Sequence, residues 1–425
     1  MRNKFVLLSI CILILSAYSA FSQGSYHLVI EGFDWGPAVN KVILKMDETI
    51  EQVSPGDFVV RATRSSDLSE NPISPSHGEL NVHSAYVSDE KGNHAASGQY
   101  VTLLLEVGPQ IRIGSPFQYV RFASGGGGNI WVDYKLTVLN TESLRIWNNE
   151  SGRSIPLIDD FDLSGRFTAE DGISMSYASF TPDGDKDEYP LIIWLHGGGE
   201  GGTDPTIPLL ANRAANYASD EIQQYFGGAY VLVPQTPTRW MDSGSGSTRG
   251  QVDDIYYKAL KELFDEYITA HPDIDRDRIY VGGCSNGGYM SLKMILEYPK
   301  YFAAGYISAL AYFSEYLTDD QVKSIRNVPM WFVHSRDDST TVAANTVVPV
   351  YERLQSAGAK NVHFTFYDHV VDITGLLGGD DFHYPGHWSW IYSHANKSQT
   401  DYDGSPVMVD GVPVTIMQWL SMQSK

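Results

Sequence analysis

The run Gly283-Cys284-Ser285-Asn286-Gly287, followed at once by Gly288, constrains this chain more than any other stretch. Arg278-Ile279-Tyr280-Val281 before it reads as a strand, and Tyr289 to Glu297 after it reads as a helix. A G-x-S-x-G pentapeptide in that setting predicts a sharp strand-to-helix turn that presents the serine hydroxyl. The turn explains its glycines. The serine is expected at an unfavourable backbone angle, and side chains at the flanking positions would collide with neighbouring elements. The helix N-terminus then faces any negative charge that develops near the hydroxyl. An ordinary glycine-rich turn is the competing reading, and the flanking strand and helix weigh against it.

The surrounding pattern places this turn in an α/β fold. Leu191–Leu195 is a continuous apolar run, as a parallel strand buried on both faces requires. Tyr230–Pro234, Ile279–Gly282, Tyr306–Leu310, Pro329–Val333 and Val362–Tyr367 follow as further strands. Ile255, Ala259, Leu263 and Tyr267 recur at steps of four, predicting a helix over Asp253 to Thr269. Val348, Tyr351 and Leu354 mark another. Strands alternating with helices imply a mostly parallel sheet with helices on both faces, over residues 164–425.

The part before it differs. At 425 residues the chain has length for two or three domains. Residues 23–148 hold short runs rich in Val, Ile, Leu and aromatics: Tyr26–Ile30, Lys41–Met46, Phe58–Ala62, Tyr100–Val107, Gln118–Phe122 and Ile130–Leu139. Such spacing predicts an all-β sandwich of immunoglobulin-like length. The run Ser124-Gly125-Gly126-Gly127-Gly128-Asn129 is expected as a hairpin loop; no Lys-Ser/Thr follows it, so it does not match a phosphate-binding loop. Residues 149–163, rich in Asn, Ser, Gly and Asp, read as a linker.

A second glycine run, Leu195-His196-Gly197-Gly198-Gly199-Glu200-Gly201-Gly202, follows directly on a buried strand. Glycines there let backbone N–H groups approach an oxyanion closely. Gly198 is the expected first donor, with Gly199 as the alternative, and the N–H of Asn286 the second. A reactive serine also needs a base and an orienting acid, in the order serine, acid, histidine. The acid should follow the strand Pro329–Val333, where Asp337 and Asp338 compete. Of the later histidines, His387 lies in Pro385-Gly386-His387-Trp388-Ser389-Trp390, a loop before a helix-like segment, and is the expected base. His383 is its rival. His363 lies within a strand and reads as structural, and His369 follows the last strand too closely. Trp240, Tyr289, Trp388 and Trp390 lie near these loops in sequence and are candidates for an apolar wall around a substrate, or for plain core packing. Asp380, Asp381, His383 and His387 cluster, but their spacing matches no zinc signature, so no metal and no cofactor is expected.

The N-terminus reads as an export signal. Arg2 and Lys4 precede an apolar run from Phe5 to Ala17, and Ala20-Phe21-Ser22 offers a cleavage site after residue 22. The expected product is secreted or periplasmic, with no membrane span. Cys11 leaves with the signal, so Cys284 remains without a partner for a disulfide. The formal net charge of −21 becomes −23 once Arg2 and Lys4 are removed. Such a surface repels nucleic acid and anionic membranes, which excludes both as expected partners.

These residues resemble a known group. Trp194-Leu195-His196-Gly197-Gly198-Gly199-Glu200, Val233-Pro234-Gln235, Asp275-Arg276-Asp277-Arg278-Ile279-Tyr280 and the Ser285 turn are similar to bacterial esterases with an immunoglobulin-like domain ahead of an α/β-hydrolase domain. That group is related to polyhydroxyalkanoate depolymerase-like, feruloyl-esterase-like and "predicted peptidase" proteins. Gly32-Phe33-Asp34-Trp35-Gly36-Pro37-Ala38-Val39 resembles the early strand and turn of its first module. The resemblance implies that the acid stands four residues past the histidine ending the strand, which is Asp338 after His334. It implies a base in a Gly-His-x-x-Trp segment, which is His387. Ser335 stands where relatives often have Gly. The implied activity is hydrolysis of a small or polymeric ester through an acyl-enzyme. Peptide amides, acetylated or feruloylated polysaccharide, and polyesters are the alternative substrates, and a non-catalytic glycan-binding role is the alternative from another class.

Overall fold

Strand alternation in the N-terminal part sorts residues between a core and solvent with period two. In the computed structural model, which describes residues 23–69, 71–122, 126–248 and 253–425, β3 (Phe58–Ser65) buries Phe58, Val60, Ala62 and Arg64 and exposes the residues between them more. The other strands of this region are β1 (Gln23–Phe33), β2 (Gly36–Ile50), β4 (His77–Leu80), β5 (Val82–Ser88), β6 (Gly98–Leu105), β9 (Asp133–Asn140) and β10 (Ile146–Ser154), with β7 (Phe117–Arg121) and β8 (Gly127–Trp131) outside the main sheet. Its order is β4-β3-β9-β10-β1-β2-β6-β5, antiparallel except that β1 and β10 run parallel. The sheet curls until β3 and β5 touch. Both halves therefore share one core, in which Tyr26, Leu28, Val60, Leu103, Leu136 and Trp147 are buried. The backbone N–H of Leu136 donates to the Tyr26 hydroxyl at 3.0 Å within it.

Two expectations change here. The predicted run Ile130–Leu139 is broken between β8 and β9, and the predicted linker is mostly structured. Residues up to Ser154 form β10 and β11 (Asp162–Thr168) begins inside the old boundary, so the connection shortens to residues 155–161. Past Trp147, β10 pairs with β1 alone and shows most of its side chains to water. Its polar sequence therefore carried no burial signal, because the ladder rather than a core face holds it. The proposed export signal and the start of the glycine run lie outside the described residues.

The chain divides into two compact units, one reaching Asp159, the other comprising Asp160–Lys425 with Gly126–Asn129. The second contains β11, β12 (Ser174–Phe180), β13 (Tyr189–Leu195), β14 (Tyr230–Gln235), β15 (Ile274–Cys284), β16 (Ala304–Ser308), β17 (Met330–Ser335) and β18 (Val362–Tyr367). The order is β11-β12-β14-β13-β15-β16-β17-β18, parallel from β14 through β18. Every residue of β13 is buried, so both faces of the sheet are covered, as its unbroken apolar run predicts. The helices are α1 (Thr206–Ala211), α2 (Asp220–Phe226), α3 (Tyr257–Ala270), α4 (Asn286–Glu297), α5 (Asp319–Ile325), α6 (Val347–Ser356), α7 (Trp390–His394) and α8 (Ile416–Ser421). Helix α3 starts four residues later than its periodicity predicts. Asp254 Oδ1 accepts the amides of Tyr256 and Tyr257 and fixes that start, leaving Ile255 outside and exposed. Among the described residues no helix is long and apolar enough to cross a membrane.

Candidate active site

Parallel strands deliver their C-terminal ends to one edge, and the loops that follow them build the site. At the end of β15 the backbone turns sharply into α4. Ser285 sits at φ 54°, ψ −112°, a conformation that costs a non-glycine residue energy and is held only by its surroundings. Its amide donates to the Ser308 carbonyl at 3.1 Å, and its carbonyl accepts from Tyr289 at 2.9 Å. The flanking glycines are required by contact. A Cβ on Gly287 would stand 1.9 Å from the Leu195 oxygen, and one on Gly283 would stand 2.6 Å from the same atom. The turn is thus packed directly onto the end of β13. The serine side chain itself stays partly exposed.

That contact brings the second glycine run to the turn. A Cβ built on Gly198 would lie 3.7 Å from the Asn286 Cβ, so the two predicted oxyanion donors are neighbours. The loop between them is rigidly tied. His196 is fully buried, and burial lowers its pKa to about 4, so the ring is neutral. Its Nε2 accepts the Thr236 amide at 3.3 Å, so Nδ1–H donates to the Gly197 carbonyl at 2.6 Å. Trp240 Nε1 donates to the His196 carbonyl at 3.0 Å. The Asn286 side chain accepts the Met241 amide at 3.2 Å.

Of the two adjacent aspartates, only Asp338 meets the predicted base. Asp338 Oδ2 lies 2.9 Å from His387 Nδ1. It also accepts the Thr341 hydroxyl at 2.7 Å, and Oδ1 accepts the amides of Thr340 and Thr341 at 2.8 and 2.9 Å. Burial raises its pKa, but hydrogen bonds from His334, His387 and the Thr341 amide outweigh this and hold it well below the usual carboxylate range. With a carboxylate on Nδ1, His387 keeps its proton there and leaves Nε2 as the basic nitrogen. Asp337 does other work. It accepts the Ser335 hydroxyl at 2.7 Å and pairs with His369 Nδ1 at 2.8 Å. A Cβ on Gly386 would come within 2.2 Å of Asp337 Oδ1, so glycine is needed where the His387 loop crosses it.

Ser285 and the Asp338–His387 pair stand on neighbouring supports. Ser308, which receives the Ser285 amide, precedes Ala309, whose carbonyl oxygen lies 3.3 Å from the Thr341 hydroxyl oxygen. The hydroxyls of Ser308 and Ser393 are 2.8 Å apart, and Ser389 donates to the Val333 carbonyl at 3.2 Å, which anchors the segment after His387. In this conformation Ser285 and His387 are not hydrogen-bonded to each other. Such catalytic bonds are often long without substrate.

The remaining candidates separate clearly. His383 is exposed and stacks on His369 with centroids 4.4 Å apart. His363 pairs with Asp401 at 2.8 Å, between Trp331 and Trp419, in a structural setting. Trp240 and Tyr289 correct the expectation of a substrate wall. Both are 0% exposed, and their polar atoms are taken up by the His196 carbonyl and by Asp254 Oδ2 at 2.9 Å, so they pack the core and brace the loops. Trp388 is half-buried beside Trp390 and keeps a lining role open to it. Sequence reasoning did not single out Thr341 or Glu200. Thr341 lies three residues past its aspartate, an Asx-type spacing that carries such a signal. Among the described residues no group of three or more His, Cys, Asp or Glu is arranged to hold a metal.

Comparison with known proteins agrees with this architecture. Residues 25–151 match the esterase Ig-like N-terminal domain, and residues 178–374 match the phospholipase/carboxylesterase family. The chain is 25% identical over 191 residues to a probable carboxylesterase SOBER1-like protein of Arabidopsis thaliana, covering 40% of this chain and 67% of that one. It is 29% identical over 130 residues to poly(3-hydroxyalkanoate) depolymerase C of Paucimonas lemoignei, covering 29% of this chain and 28% of that one. The match thus spans about two thirds of the first relative and little more than a quarter of the second. A crystal structure of a thermostable esterase has the same fold, with TM-score 0.73 and 22% identity over 94% of this chain and all of that one. The chain therefore joins an esterase Ig-like N-terminal domain to an α/β-hydrolase domain of the phospholipase/carboxylesterase family.

Proposed function

We propose that this protein is an exported serine carboxylesterase that works through an acyl-enzyme on Ser285. The observation that supports it most is the hydrogen bond between buried Asp338 and His387, in a unit that also holds Ser285 in a strained turn. In this reading His387 Nε2 takes the Ser285 proton as Oγ bonds to the ester carbonyl carbon. The N–H groups of Gly198 and Asn286 hold the resulting oxyanion. Collapse breaks the bond to the alcohol, which leaves with the proton from His387. Water, deprotonated by the same imidazole, then releases the acid and restores Ser285. Asp338 keeps the ring in the productive tautomer and stabilises its cation. Trp388 is the candidate lining residue. Export rests on the basic and apolar pattern of residues 1–22.

Ser285→Ala should abolish p-nitrophenol release from p-nitrophenyl acetate and butyrate, and a fluorophosphonate should label the native chain at Ser285 only. Full activity in that variant would remove the proposal. Parallel assays on aryl esters and peptide anilides separate an esterase from a peptidase built on the same residues.

A further inference from the structure

Glu200 lies in the loop that carries Gly198, yet its side chain faces inward. The residue is 6% exposed. Its Oε1 accepts Asn129 Nδ2 at 3.1 Å, and the Asn129 amide donates to the Gly199 carbonyl at 2.7 Å. Asn129 belongs to the short segment that packs with the second unit. A Cβ on Gly197 would come within 2.8 Å of Oε2, so the carboxyl lies flat against the loop backbone. The main chain of Glu200 is held as well: its carbonyl accepts Gln235 Nε2 at 2.9 Å, and Gln235 Oε1 accepts Ser176 Oγ at 2.9 Å.

A buried carboxyl wrapped by its own loop is an expensive way to fill space, since an amide or an alkyl group would avoid the cost of burying charge. Burial pushes its pKa up to about 7, against the lowering effect of Asn129 and the amides of Gly199 and Gly197. The Gly197 amide donates to Asn212 Oδ1 at 3.3 Å, and a Cβ on Gly198 would lie 3.7 Å from the Asn286 Cβ, so this stretch of the loop is held from inside while Gly198 borders Asn286. Burial, and then the Glu200 charge, raise the pKa of the buried Cys284 thiol on β15 well above normal.

We propose that Glu200 is a positioning residue, whose carboxyl, packed against Gly197 and held by Asn129, fixes the loop from inside so that the Gly198 N–H is aimed at the oxyanion. The proposal rests on the esterase reading above. It places the control of transition-state stabilisation beneath the loop, in a group that never touches substrate.

The test uses the full chain with Glu200→Gln, p-nitrophenyl butyrate as substrate and a boronic acid as a tetrahedral mimic. Removing one oxyanion donor outright costs about 10²–10³ in kcat. A mis-aimed donor should lower kcat roughly 10- to 100-fold, with KM within about threefold, and weaken the boronate in proportion to kcat. Fluorophosphonate labelling of Ser285 should remain complete, which separates failure of this proposal from failure of the serine mechanism. A folded Glu200→Gln enzyme with native kcat, or one with reduced kcat and unchanged boronate affinity, overturns it. If that variant does not fold, Asn129→Ala decides: it removes the Oε1 donor, and should lower kcat and boronate affinity together. Native values for both in Asn129→Ala would equally overturn the proposal.

Discussion

Asp338→Asn is the sharpest test of the site, because the structure dictates how the new amide must sit. Asp338 Oδ1 accepts two backbone N–H groups, from Thr340 and Thr341. An asparagine keeps its oxygen there, since turning the amide over would set its NH2 against both donors. The NH2 then occupies the place of Oδ2, facing His387 Nδ1, where 2.9 Å now separates acid and base. To accept that new donor, Nδ1 must lose its proton, and the proton moves to Nε2. The basic lone pair that the proposed mechanism needs on Nε2 is gone. Losing the charge-assisted hydrogen bond costs about 1.5–3 kcal/mol. The wrong tautomer adds to it, and the same change in another Ser-His-Asp triad lowers kcat by about 10⁴. An expected loss of about 10³–10⁴ in kcat corresponds to roughly 4–5.5 kcal/mol in the barrier. Hydrolysis of p-nitrophenyl butyrate under saturating substrate measures it. Asp337→Asn is the internal comparison: its carboxyl serves Ser335 and His369 and is over a third exposed, so kcat should stay within about fivefold. The reasoning fails if Asp338→Asn keeps kcat within about tenfold of native, or if Asp337→Asn is the more damaged enzyme.

Three further outcomes are expected. Gly287→Ala would put a methyl 1.9 Å from the Leu195 oxygen and 2.6 Å from the His196 oxygen, backbone atoms that cannot rotate away. It should cost at least about 3 kcal/mol, read as a lowered urea midpoint, and a change under about 0.5 kcal/mol would contradict the packing argument. Trp240→Phe leaves the buried His196 carbonyl without its 3.0 Å donor and should cost about 1–3 kcal/mol with KM nearly unchanged; a large KM effect on a stable variant would return Trp240 to the substrate wall. Glu200 has a folded pKa raised from 4.5 to about 7, so its contribution to stability is full below the lower value and lost as pH rises through the upper one. Glu200→Gln escapes that loss, and above pH 8 it should gain roughly 2–3 kcal/mol relative to native compared with the same pair at pH 4, by urea unfolding. An equal difference at both pH values would show that the carboxyl does not titrate in this way.

Local chemistry made much of this protein readable from its residues alone. Gly283 and Gly287 announce a turn because only glycine fits where Ser285 leaves β15, and the contact with Leu195 supplies the reason. The seven buried residues of β13 form an unbroken apolar run because both sheet faces are covered. Strand β10 left no such trace, since backbone pairing with β1 holds it while its side chains face water. Helix α3 was misjudged at its start because Asp254, and not the spacing of apolar residues, sets where the first turn forms.

Distances between segments remote in sequence were decided only by the tertiary structure. Asp337 and Asp338 are indistinguishable as neighbours in a chain, and adjacent side chains leave the backbone in different directions. One meets His387 and the other His369 because the loop through Gly386 crosses at one particular place. Trp240 and Tyr289 are aromatic residues near the candidate-site loops in sequence, and burial alone made them framework. Glu200 looks like one more polar residue in a glycine run until Asn129, over seventy positions earlier, is found against its carboxyl. Residue type and spacing determined which chemistry was possible; which acid, which donor and which aromatic serve it followed from packing, because charge and hydrogen bonding act over a few ångströms of space.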